Sequence, residues 1–156
     1  MEHDQLNWRP EPTKILSEKF GLNVFDPHAD PKQQWVPALT IARANRDFQE
    51  MHRIASQFVQ KDMAIVDRTA FGIWRLPYRV PTTGSIEEII SCNRAKKPTL
   101  LMCPEGKEFL PFWFHGYKSL GRYMFDSFDQ VYTYLEEVQN GLHMTDPRWA
   151  FVYNLI

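Results

Sequence analysis

Cysteine, long apolar runs and charge of a single sign are all scarce in this sequence. The two cysteines, Cys92 and Cys103, supply neither a disulfide framework nor a zinc knuckle, which indicates a reducing, cytoplasmic setting. No apolar run approaches the ~18 residues of a membrane span, and the polar start MEHDQLNWRP is unlike a signal peptide. The 18 basic and 19 acidic residues are interspersed, so a protein that coats nucleic acid is not expected.

The sequence does contain enough apolar residues for a core. With 156 residues, 44% of them apolar, its length favours a single domain over residues 1–156. Aromatic residues cluster in FGIWRLPY (71–78) and FLPFWFHGY (109–117), among prolines and glycines. Rings in such irregular stretches are expected to line a pocket or an interface.

Four stretches have the pattern of helices. Apolar residues recur every three or four positions from residue 38 to about residue 60, which predicts one long, uninterrupted helix. SFDQVYTYLEEVQNG (127–141) opens with a Ser-x-x-Gln capping pattern and closes at a glycine. SIEEIISCNRAK (85–96) gathers its isoleucines on one face. TKILSEKF (13–20) is a shorter helix that Gly21 ends.

The strands are shorter and more ambiguous. KPTLLMCP (97–104) is a continuous apolar run, typical of a buried strand. Either MAIV (63–66) or AFGIWRL (70–76) is the strand before it, and we favour AFGIWRL. LNVFDP (22–27) is a further short strand. Helices that alternate with buried strands predict the α/β class, a doubly wound (flavodoxin-like or Rossmann-like) parallel sheet flanked by helices.

Two adjacent carboxylates follow a Thr-Thr-Gly turn in the stretch TTGSIEE (82–88). Ligands of parallel sheets bind beyond the carboxyl ends of the strands, where this turn is expected. Ser85 and Glu88 match a capping box, whose acids only favour the helix start. Alternatively, Glu88 acts as a nucleophile on a sugar carbon, and Gly84 lets the ligand approach the backbone. Glu87 is then a solvated acid at the helix start.

An ordered set of motifs resembles the nucleoside 2-deoxyribosyltransferase superfamily, which includes nucleoside 5′-monophosphate N-glycosidases. The motifs are GLNVFDP (21–27), Gly84-Ser85-x-x-Glu88-Ile89 and Lys97-Pro98, and the resemblance covers roughly residues 8–140. It implies an enzyme that cleaves or exchanges the N-glycosidic bond of a nucleoside or nucleotide, as a transferase or a hydrolase, with Glu88 as its nucleophile. A non-catalytic nucleotide-binding module is the alternative that the same resemblance leaves open.

The resemblance also implies the residues around that nucleophile. A supporting aspartate stands on the helical stretch before the third strand, where this chain has Asp62, with Asp67 as the second candidate. Gly84, Ser85 and Thr82 are substrate-binding candidates, although many relatives have an aspartate where this chain has Thr82. The family's first strand has no counterpart, because the chain starts just beyond it, and Asp4 is the substrate-binding candidate there.

Trp74 and Tyr78 flank the end of the favoured strand, where they either sandwich a base or pack in the core. Arg79 meets a 5′-phosphate or is simply solvated. The histidines lack the spacing of a metal site, so neither a metal nor a cofactor is expected. The expected partner is therefore a small nucleoside or nucleotide, with no nucleic-acid polymer and no membrane.

The C-terminal run WAFVYNLI (149–156) is apolar enough to replace a strand or to contact another subunit, and we favour a contact within a homo-oligomer. A third interpretation is a structural or interaction protein whose stretch FLPFWFHGY docks a partner.

Overall fold

The computed structural model describes residues 8–26, 35–80 and 83–154. Contacts between Cα atoms divide the chain into two compact units, Met1–Ala64 and Ile65–Ile156. A single domain over residues 1–156 stays a prediction.

The first helix in the described part of the first unit is α1, Pro10–Glu18. A turn after the helix closes at Gly21, whose φ of +66° is a left-handed conformation that suits glycine. The Gly21 and Leu22 amides donate to carbonyls of the last turn at 3.1 Å, so that turn keeps its hydrogen bonds. The short helix predicted over 13–20 is confirmed, and it starts earlier because Pro10 suits a first helical turn.

The strand predicted at 22–27 is wrong for residues 22–26, and Pro27 lies outside the described residues. The segment is irregular, and none of the described strands pairs with it. Its Asp26 carboxylate instead meets the Arg9 guanidinium, with Oδ1 and Nη1 3.2 Å apart. A β-rich composition forms a strand only where a neighbouring strand accepts its backbone hydrogen bonds.

The single helix predicted over 38–60 is also wrong, because the structure has two helices there. Helix α2 is Val36–Ala44 and helix α3 is Phe48–Arg68. Between them Arg46 has a φ of +52°, and the Asp47 carboxylate accepts the Glu50 amide at 3.0 Å. Asp47 therefore caps α3, and the Asp-x-x-Glu pattern was the available signal. The spacing of apolar residues did not reveal the break between α2 and α3, because the same spacing continues on both sides of it.

The second unit contains a three-stranded parallel sheet in the order β1-β2-β3. The strands are β1, Gly72–Arg75; β2, Thr99–Met102; and β3, Met124–Phe125. Every residue of β2 is buried, as expected for the central strand of a parallel sheet. The α/β class, the buried strand at 97–104 and the choice of AFGIWRL over MAIV are confirmed, since MAIV lies within α3.

Four α-helices follow β1 in the described part of the unit. They are α4, Thr83–Arg94; α5, Phe112–His115; α6, Phe128–Gln139; and α7, Pro147–Asn154. Of these, α4 and α6 pack against the sheet. Helix α4 links β1 to β2, and α6 follows β3. The predicted start of α6 is confirmed, because the Ser127 hydroxyl accepts the Gln130 amide. Among the described helices, none combines the length and apolarity that crossing a bilayer requires.

The strand suggested at 149–156 is wrong over residues 149–154, which form most of α7. The helix starts where Pro147 follows Asp146, and the Asp146 carboxylate accepts the Arg148 amide at 3.0 Å. Trp149 and Val152 are buried, whereas Phe151 is exposed. Contact with another subunit stays a prediction.

A buried polar network joins α7 to the turn before β3 and to α4. The Tyr123 hydroxyl donates to Asp146 Oδ2 at 2.5 Å, and both residues are buried. Arg148 Nη1 donates to Asn93 Oδ1 at 2.9 Å and to the Lys97 carbonyl at 3.0 Å. Burial and the Asp146 carboxylate raise the pKa of Tyr123, which keeps its proton available for this hydrogen bond.

Replacing Tyr123→Phe should lower the free energy of unfolding by about 1–3 kcal/mol, because the buried Asp146 carboxylate loses its hydroxyl donor. Denaturant unfolding measures this change. Tyr117→Phe is the matched control, since the structure records no hydrogen bond for that hydroxyl among the described residues, and it should change stability by less than about 0.5 kcal/mol. Equal losses in the two variants would show that Asp146 does not depend on Tyr123.

Candidate functional site

Strands β1 and β2 run parallel and therefore end at the same edge of the sheet. Beyond β1 the Leu76 amide still donates to the Met102 carbonyl at 2.8 Å. The segments that follow, residues 76–80 and 103–110, begin at this edge. Ligands of parallel sheets bind beyond this edge, so side chains here are the first candidates for chemistry.

Glu88 lies inside α4 and not at its start. The helix begins at Thr83, so Ser85 is its third residue and Glu88 its sixth. The capping-box interpretation of these two residues is therefore wrong. The half-buried Glu88 carboxylate instead accepts a hydrogen bond on Oε2 from Trp74 Nε1, at 3.0 Å. The structure thus brings together two of the predicted site residues, one from β1 and one from α4.

Gly84 and Ser85 lie one helical turn before Glu88, at the i−4 and i−3 positions that share its side of the helix. Gly84 is exposed. A methyl group added at Gly84 would meet no atom of the described residues within 4 Å. The surface beside the Glu88 carboxylate is therefore open at this glycine as far as the described residues extend.

A second contact joins the segments that follow β1 and β2. Glu105 Oε2 accepts the Tyr78 amide at 3.1 Å and the Cys103 thiol at 3.3 Å. Burial alone would raise the pKa of the Glu105 carboxyl, but these two hydrogen bonds and the nearby Arg75 charge lower it overall. Glu105 therefore stays ionised at neutral pH and holds the two segments together.

Glu105 and Arg75 are site residues that sequence reasoning missed. Burial lowers the pKa of the Arg75 guanidinium, and the Glu105 carboxylate opposes that effect. Both residues could have been found from their positions, because Arg75 is the last residue of β1 and Glu105 follows β2 by three residues. Side chains at those places face the ligand edge of a parallel sheet.

Tyr78 lies apart from the pair formed by Trp74 and Glu88, in the segment after β1. Its ring packs against Phe109, with centroids 4.9 Å apart, and the Arg79 guanidinium lies 5.0 Å from its centroid. Arg79 has a φ of +63°, a backbone conformation that non-glycine residues adopt rarely and that is found at functional sites. Whether Tyr78 stacks on a base, and whether Arg79 meets a phosphate, stay predictions.

The two candidate acids occupy different units. Asp62 is half-buried on α3 in the first unit. Asp67 is exposed on the last turn of α3, in the second unit, and its carbonyl accepts Lys97 Nζ at 2.7 Å. A pairing of either acid with Glu88 stays a prediction. Thr82 and Asp4 lie outside the described residues.

The thiols are poor alternatives to Glu88 as a nucleophile. Cys92 and Cys103 are both buried and form no disulfide. Burial raises the pKa of each thiol, so little of either is the reactive thiolate at neutral pH.

A groove beside α6 and a pair of exposed rings are further features of the described residues. No three His, Cys, Asp or Glu side chains of the described ranges come together as metal ligands. A groove of about 360 Å³ beside α6 contains none of the predicted site residues, and it is lined by Phe125, Asp129, Gln130, Thr133, Tyr134 and Glu137.

In the stretch 109–117, Phe112 and Trp113 are 91% and 71% exposed, while Leu110 and Phe114 are buried. A docking role for those two exposed rings stays a prediction.

Comparisons of the chain with models of protein families, with curated proteins and with solved structures find no match. Inference about function therefore depends on the residues and contacts described above.

Replacing Gly84→Ala should raise the free energy of unfolding by about 0.5–1 kcal/mol, because alanine favours a helix and its methyl group meets no described atom. Thermal or denaturant unfolding measures the change. Gly141→Ala is the contrasting control, since Gly141 has a φ of +83° and alanine there should destabilise by about 1 kcal/mol. A loss of stability in Gly84→Ala would mean that position 84 is not open.

Proposed function

We propose that this protein cleaves or exchanges the N-glycosidic bond of a deoxynucleoside or nucleotide, with Glu88 as the nucleophile, as in the nucleoside 2-deoxyribosyltransferases. The observation that carries the proposal is the contact between Glu88 Oε2 and Trp74 Nε1 at 3.0 Å. Glu88 lies within the helix, beyond the first turn where a carboxylate favours the helix start, and its carboxylate is held by a side chain of β1.

The arrangement around Glu88 supports a sugar-bearing ligand. Gly84 leaves open surface one turn from the carboxylate, and Ser85 adds a hydroxyl that suits a sugar hydroxyl. In the segment after β1, apart from the Trp74–Glu88 pair, Tyr78 is 43% exposed and would offer a ring for a base, beside the Arg79 guanidinium. We assign Thr82 and Asp4 to substrate binding from the family resemblance alone.

The proposed reaction balances with groups of this chain and water. A Glu88 carboxylate oxygen forms a bond to C1′ while the C1′–N bond breaks, and its electron pair leaves with the base. The base takes a proton from a carboxylic acid, for which Asp62 is the first candidate and Asp67 the second. Water or a second base then attacks C1′, releases Glu88 and returns a proton to the acid. Neither a metal nor a cofactor enters these steps.

The proposal extends to the setting of the enzyme. The three parallel strands would be part of a doubly wound sheet, as in the family that the motifs resemble. Free, buried thiols suit a cytoplasmic protein. A homo-oligomer is proposed because α7 buries Trp149 but leaves Phe151 61% exposed on the same short helix.

Glu88→Ala should lower the rate of base release from deoxynucleosides and deoxynucleoside monophosphates by at least about 1000-fold, because the nucleophile is lost. Chromatography of the free base measures the rate. Glu87→Ala is the matched control, since Glu87 is the adjacent, exposed acid of the same helix and should retain the wild-type rate. Equal rates for wild type, Glu88→Ala and Glu87→Ala would remove Glu88 from the chemistry. Nucleotide binding by calorimetry without base release would instead indicate a non-catalytic nucleotide-binding module.

Asp62→Asn should lower base release by about 100-fold or more, because an amide cannot protonate the departing base. Asp67→Asn should leave the rate within about threefold of wild type if Asp62 is the acid. The test substrate is a deoxynucleoside whose base leaves only after protonation, and the readout is kcat. A large effect of Asp67→Asn with none of Asp62→Asn would transfer the role to Asp67.

A further inference from the structure

Trp74 has an orientation that its sequence position did not predict. Residues 72 and 74 point to the same face of β1, because side chains alternate along a strand. The six-membered ring of Trp74 covers Gly72 so closely that a methyl group there would overlap the Cη2 and Cζ3 atoms of the ring. The indole therefore lies along the backbone of its own strand.

This orientation directs the indole N–H towards α4. With one part of the ring resting on Gly72, Nε1 is 3.0 Å from Glu88 Oε2. An indole N–H only donates hydrogen bonds and a carboxylate only accepts them, so the pairing cannot reverse. A glutamate has three side-chain torsions, and a fixed donor on a strand restricts the directions in which its carboxylate lies. Trp74 and Glu88 are both half-buried, which limits competition from water.

We infer that Trp74 is the positioning residue of the Glu88 nucleophile and that Gly72 is required because it leaves room for the Trp74 ring. This inference rests on the proposed function, since it assigns a role within that reaction. Trp74 was expected from the sequence either to sandwich a base or to pack in the core. In the inferred role its ring rests on the strand backbone, and its N–H holds the group that attacks C1′.

Two variants separate positioning from base stacking. Trp74→Phe keeps an aromatic ring but removes the N–H donor, whereas Gly72→Ala keeps the donor but displaces the ring. Both should lower kcat for base release by about 10- to 100-fold, the cost of a misplaced reacting group, with KM within about threefold of wild type. If Trp74 stacks on the base, Trp74→Phe will change KM and leave kcat near the wild-type value, and the inference is overturned. Circular dichroism of each variant establishes that it is folded. If one of the two variants does not fold, the kinetics of the other still test the inference.

Nuclear magnetic resonance tests the contact without any assay of activity. The chain has five tryptophans, and the indole N–H signal that disappears in Trp74→Phe belongs to Trp74. Glu88→Gln should shift this signal, because the charged acceptor becomes neutral, and Glu87→Gln should leave it unchanged. If the Trp74 indole signal keeps its position in Glu88→Gln, the contact itself is contradicted. If the signal shifts but the wild-type protein releases no base from any nucleoside or nucleotide, the contact stands, and the proposed function fails together with the role assigned to Trp74.

Discussion

The burial of β2 is the constraint on which the arrangement of the second unit depends. All four of its residues are buried, so its backbone groups must pair with neighbouring strands and its side chains must be covered on both faces. β1 and β3 supply the pairing, and α4 and α6 pack against the strand. Because β1 pairs in parallel, the residues that follow β1 and β2 meet at one edge. The contacts of Glu105 lie there because of this pairing.

Two carboxylates, Glu88 and Glu105, have different hydrogen-bond partners in this unit. Glu105 is ionised and accepts the Tyr78 amide and the Cys103 thiol, so it is committed to joining two segments of backbone. Glu88 accepts the indole N–H of Trp74, which lies on β1. In the proposed reaction a nucleophile must be oriented and yet reach a substrate, and Gly84 leaves room for that approach among the described residues.

Short sequence patterns correctly predicted a helix that begins with a local capping contact and a strand that is completely buried. The capping pattern at Ser127 and the apolar run of β2 each required no knowledge of the rest of the chain. The break at Asp47 had a local signal too, but apolar periodicity on both sides concealed it. The strand prediction is wrong over residues 22–26 because no local signal exists for it: strand formation depends on a partner strand, which composition does not reveal. Similarly, the residues from 149 onwards are apolar, and the preceding Asp146 and Pro147 determine that they form a helix.

The sequence by itself determined the α/β class, the parallel sheet's central strand and the helix that carries Glu88, because hydrophobic pattern and turn residues encode these features within short stretches. Only the tertiary structure decided what Glu88 does with its carboxylate. A capping box and a contact with the neighbouring strand use the same residue types. The choice between them depends on where α4 begins, at Thr83 and not at Ile86 as a capping box at Ser85 requires, and on the space that Gly72 leaves for a ring. That choice depends on distances between separate elements, which no local pattern specifies.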